Sequence, residues 1–84
     1  MHDLHEANKI FNLVLAYAKK NNLKKVKKIT LKLGSVMEHG EEINADNLKF
    51  NIEMLARGSM AEAAVIVIEK AKILGWELVE IAGD

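Results

Sequence analysis

Eighty-four residues, half of them apolar, supply one small core and not two, so residues 1–84 are expected to form a single domain. The chain has no cysteine, which excludes both a disulfide framework and a thiolate zinc site and leaves packing, aided by oligomerisation, to hold the fold. Formal net charge is zero, but 8 basic and 2 acidic residues lie before Gly34 against 4 basic and 10 acidic from there on, so the halves carry opposite charge. No apolar run approaches ~20 residues and no basic stretch opens into an apolar one, which argues against a membrane span or a secretion signal and makes a reducing cytoplasm the default compartment.

The first element reads as an amphipathic helix. Leu4, Ala7, Phe11, Val14 and Ala18 recur at helical spacing, with Ile10, Leu15 and Tyr17 widening the stripe. Asp3 followed by Glu6 resembles a capping box, which places the helix start at Asp3; Lys19 and Lys20 complement its C-terminal dipole, and Asn21-Asn22 is the stop. Val26 to Leu33 alternates, with Ile29, Leu31 and Leu33 on one face and Lys28, Thr30 and Lys32 on the other, as in a strand whose sheet faces water on one side.

From Gly34 to Ile43 the pattern breaks into an acidic loop holding Glu38, His39, Glu41 and Glu42. Asn44 or Asp46 then caps a second helix running to about Arg57, with Gly58 as its C-terminal cap. Leu48, Ile52 and Leu55 form its main stripe, and Phe50 with Met54 form a second apolar pair, suggesting packing on both the sheet and a neighbour. That pair reads as core, or as the surface of a homodimer. Ala63 to Ile68 is a short β-branched run read as a central strand, and Trp76 to Ile81 as another, with room for a hairpin between them. The expected fold is α+β: two helices packed on a small three-stranded mixed sheet in the order αβαββ.

Chemistry concentrates at the amino terminus. A free Met1 amine, the His2 amide nitrogen and the His2 imidazole can close adjacent chelate rings with three nitrogens in one plane, an arrangement suited to Ni(II) or Cu(II). The Asp3 amide or carboxylate, His5 or His39 could complete the set. The plainer readings are a frayed, solvated terminus for His2, a surface position for His5 and a solvated connector for His39. Lys19, Lys20, Lys24, Lys25, Lys27, Lys28 and Lys32 invite a nucleic-acid reading, but only Tyr17 lies close as a stacking aromatic. The lysines read instead as a solvated face, or as steering for an acidic partner or for the acidic half of a second copy. No cysteine nucleophile, phosphate-binding glycine loop or nucleophile elbow is present, and Ser35 and Ser59 have no base beside them, so no enzyme is expected.

Several stretches together resemble the HypA family. Met1-His2-Asp3 leads into an amphipathic helix as the family's Met-His-Glu does, and the strand ending Leu33-Gly34 is similar to the family's strand closed by glycine. Leu48-Lys49-Phe50-Asn51-Ile52-Glu53 resembles its Leu-x-Phe-x-Phe-Glu helix. Gly58 to Ala64 resembles its approach to the next strand, with Glu62 marking that junction, and Gly75-Trp76-Glu77-Leu78 and Ile81-Ala82-Gly83-Asp84 resemble its finish. The resemblance implies a nickel metallochaperone for nickel–iron hydrogenase maturation, with His2 as ligand and a maturation GTPase and the hydrogenase large subunit as partners. Three departures stand out. The family's zinc-binding insertion of two CxxC pairs is replaced by the short Glu69 to Leu74 connection, so no zinc is expected. Asp3 stands for the usual Glu, and the loop after Gly34 is longer and more acidic. The alternative function is a metal-independent interaction or assembly domain, including one from which a zinc module was removed by design.

Overall fold

The computed structural model describes the backbone of residues 2–35, 37–38, 41–42 and 44–84, and the side chains of residues 4–34 and 44–84. Helix α1 (His2–Lys20) buries Ala7, Ile10, Phe11, Val14 and Ala18 along one face, as its periodicity requires. Leu4 and Tyr17, expected in the stripe, lie at its margins and are exposed. The buried row continues instead to Glu6, four residues before Ile10. The helix stops where Asn22 adopts a φ of 57°: the Leu23 amide donates to the Ala18 carbonyl at 2.9 Å and the Asn22 amide to that of Lys19 at 3.2 Å. An asparagine tolerates this left-handed conformation better than a branched residue would.

Strand β1 (Val26–Ser35) is longer than the alternation implied and includes Gly34. The expected loop beyond it contains a small antiparallel ladder, β2 (Met37–Glu38) with β3 (Glu41–Glu42). Helix α2 (Ala45–Ala56) begins at Asn44, whose side-chain oxygen accepts from the amides of Asp46 at 2.8 Å and Asn47 at 3.2 Å, so Asn44 and not Asp46 is the cap. It buries Leu48, Ile52 and Ala56, with Leu55 at the margin, and ends at Arg57 with Gly58 following at positive φ. The second apolar pair is not core: Phe50 and Met54 are 57% and 46% exposed in the single chain, because α2 lies against α1 and the sheet on its other side.

Strands β4 (Val65–Leu74) and β5 (Trp76–Gly83) complete a mixed three-stranded sheet in the order β4-β1-β5, and the αβαββ expectation holds for its helices and this sheet. β4 runs parallel to β1, Ile29 beside Ile66 and Leu31 beside Ile68; β5 runs antiparallel to it, Ile29 beside Ile81 and Leu33 beside Trp76. The run expected to be the central strand is therefore an edge. Its β-branched residues signalled burial on both faces, yet only Ile66 is fully buried and Val65 is 62% exposed, since both helices pack on one face of the sheet. Lys28, Thr30 and Lys32 occupy the other face, as alternation required.

The expected hairpin between the last two strands is also absent. β4 and β5 flank β1 on opposite sides, so the chain crosses the end of β1 through Gly75, which turns at a φ of 78°. The Gly34 amide donates to the Gly75 carbonyl at 2.8 Å, and a Cβ on Gly34 would overlap the Ile73 carbonyl. Gly34 is thus required by close approach, Gly75 by its backbone conformation.

These two causes predict different costs. Gly34→Ala should lose about 3 kcal/mol or more in urea denaturation, because the obstacle is backbone that cannot step aside. Gly75→Ala, with open space around its Cβ position, should lose only about 1–2 kcal/mol, the penalty of left-handed backbone. Equal losses would refute the crossing as the reason for Gly34.

Candidate functional site

The topology brings the first turns of α1, the end of β1 and the start of β5 together. β1 and β4 both run toward this end, and α2 starts beyond the connection that follows β1. The far end holds the C-terminal turn of α1, Lys24 and Lys25, and the returning chain end, where the Lys24 amide donates to the Asp84 carbonyl and Lys27 Nζ meets Asp84 Oδ2 at 2.8 Å. The Lys27 contact holds the Asp84 carboxyl below its usual range.

At the near end Glu6 is the buried charged residue among the described residues, 7% exposed in a row otherwise apolar. Both carboxylate oxygens are occupied. Trp76 Nε1 donates to Oε1 at 2.9 Å, and Lys9 Nζ approaches Oε2 at 3.4 Å. Burial by itself pushes the carboxyl up, but the hydrogen bonds from Trp76 and Lys9, with the charges of Lys9 and His5, outweigh it and hold Glu6 below its ordinary value. The indole bond spans 70 positions in the chain and ties the second turn of α1 to the first residue of β5.

The candidate ligands are placed as follows. His2 is the first residue of α1 and Asp3 the second, so Asp3 is inside the helix and is not its N-cap. The expected capping box does not form, because Glu6 faces the core and its oxygens turn to Trp76 and Lys9. His5 is exposed on α1. Met1 and His39 lie outside the described residues. Among the described residues no three His, Cys, Asp or Glu side chains gather as a metal site. Glu6 and Trp76 were missed in the sequence; the available signal was that Glu6 stands four before Ile10 and so falls on the buried row.

An α+β domain with an αβαββ core, a histidine at the helix start and no thiol defines the class. The fold is similar to that in the solution structure of the Ni metallochaperone HypA from Helicobacter pylori, with a TM-score of 0.76 over 94% of each chain at 13% identity. Residues 1–76 match the family described as "Hydrogenase/urease nickel incorporation, metallochaperone, hypA". The chain belongs to the HypA family. It is 39% identical over 70 residues to the hydrogenase maturation factor HypA of Pyrococcus furiosus, covering 83% of this chain and 48% of that protein. To the factor of the same name from Methanocaldococcus jannaschii it is 35% identical over 77 residues, 86% of this chain and 59% of that one. The chain thus spans roughly half to three-fifths of the length of these curated relatives. No helix among the described residues is long and apolar enough to cross a membrane.

The Glu6 environment predicts a pH dependence. A carboxyl held below its unfolded value stabilises the fold above that value, about 4.3, and the contribution disappears as pH falls through the lower folded value. Wild type should therefore exceed Glu6→Gln in stability at pH 7, and the difference measured by urea denaturation should shrink below about pH 4. A difference that does not change with pH would show that ionisation of Glu6 is not its source.

Proposed function

We propose that the chain is a nickel-binding accessory domain for nickel–iron hydrogenase maturation, a carrier and not a catalyst, working in the cytoplasm. Its cargo Ni(II) is taken by the Met1 amine, the His2 amide and the His2 imidazole, with Asp3, His5 and His39 as candidates for further donors. The observation that carries this reading is the family match beginning at Met1-His2, together with the position of His2 as the first residue of α1. The first amides of a helix have no intrahelical acceptor, so the His2 nitrogen is not committed to the helix. The positive end of the helix dipole disfavours a bare cation there, and a deprotonated amide and nearby carboxylate offset that field.

The remaining parts of the proposal follow from family membership. A maturation GTPase and the hydrogenase large subunit are the proposed partners, along with a second copy of the chain. With no cysteine, these residues offer no thiolate zinc site; the proposed transfer is by ligand exchange at the helix start. A site at a chain terminus suits a cargo that must leave again.

Calorimetric nickel titration of protein with a free Met1 amine tests the reading. His2→Ala and an N-terminally extended form should each weaken binding by more than about a hundredfold, beyond what loss of a supporting contact costs. Affinity of the wild type should also fall as pH drops, because the coordinating nitrogens must lose protons. Equal binding by all three proteins would refute the site.

A further inference from the structure

We propose that Glu6 is a positioning residue for nickel binding, acting through its hydrogen bond to Trp76. The inference rests on the His2 reading above but concerns a pair of residues outside the ligand set. A carboxylate in the buried row of an amphipathic helix is costly, and an aliphatic side chain there would continue the core formed by Ala7, Ile10 and Val14. Glu6 is instead partnered at both oxygens, and its bond to Trp76 is a long-range side-chain hydrogen bond made by a buried group, unlike the exposed Lys27–Asp84 contact at the far end.

Its location gives the bond a consequence. Helix starts are in general the turns most prone to fray, and α1 starts at His2. His2 lies four positions before Glu6 in the same helix, about 6 Å along the axis. The other end of the bond is anchored firmly: Trp76 follows Gly75, whose carbonyl is held by the Gly34 amide at 2.8 Å, and pairs with Leu33 in the sheet. Glu6 therefore fixes the rotation and the tilt of the first turn of α1 against the crossing at the end of β1. An apolar residue at position 6 would pack, but would let the helix start slide and rotate, because dispersion contacts have no preferred direction. Lys9 is largely exposed and approaches at 3.4 Å, so it contributes charge compensation and little positioning.

Nickel chloride titrations of the full chain test this with Glu6→Gln, Glu6→Leu, Trp76→Phe, Lys9→Ala and His2→Ala, at a temperature where circular dichroism shows each folded. Glu6→Gln keeps an oxygen for the indole and should bind within about threefold of wild type, while Glu6→Leu and Trp76→Phe should lose about tenfold, the range for residues that orient ligands. Lys9→Ala should bind as wild type. Addition of nickel should alter Trp76 fluorescence in wild type and Glu6→Gln and leave it unchanged in Glu6→Leu. Should Glu6→Leu fail to fold, Trp76→Phe carries the comparison. Wild-type affinity in both Glu6→Leu and Trp76→Phe overturns the inference and leaves the His2 site standing; so does a Glu6→Gln as weak as Glu6→Leu, which would assign the effect to charge. Equal binding by wild type and His2→Ala overturns the site and the inference together.

Discussion

At the end of β1 the backbone between β4 and β5 passes so close to Gly34 that no side chain fits between them. The crossing exists because β4 and β5 lie on opposite sides of β1, and it is sealed by the Gly34 amide bonded to the Gly75 carbonyl. Much else depends on it. It makes β1 the central strand, buried at Ile29, Leu31 and Leu33 beneath both helices, and it delivers Trp76 to the position where the indole meets Glu6.

A carboxylate in the core row would be a defect without that meeting. With it, the start of α1 is pinned to the sheet by a directional bond in a region where hydrophobic packing alone fixes depth but not orientation. The helix start is thereby tied to the sheet by a bond with a preferred direction.

Charges stand at the helix ends in the sense that the helix dipoles favour. Lys19 and Lys20 close α1 at its negative dipole end, Lys24 and Lys25 follow in the turn to β1, and Lys27 stands in the first residues of that strand, where Asp84 returns to meet them. Asp3 and Glu6 stand in the first turns of α1, and Asp46 in that of α2, at the positive ends of both helices. This arrangement lowers the electrostatic cost of each helix.

Local chemistry was legible from the sequence wherever a single element determines it. The two helices, the asparagine stop of α1, the cap choice narrowed to Asn44 or Asp46, and the alternation of β1 all follow from periodicity and turn residues within a few positions. The resemblance carried by Met1-His2 and the later motifs led to the right family. Strand order was not legible: the Ala63–Ile68 run reads as a central strand by composition, yet edge or centre depends on which strands pair on either side. The hairpin expectation failed for the same reason, since a one-residue connection can turn back beside its strand or cross over a neighbour, and only the glycine at position 34 permits the second. Likewise the pairing of Glu6 with Trp76 joins residues 70 apart, and read within its own helix Glu6 passed for a cap. The sequence by itself determined which faces are apolar and which residue types stand at the helix start. Tertiary structure decided which strand is central and which distant group satisfies the buried carboxylate, because those choices are made by backbone crossings and long-range contacts that no local pattern encodes.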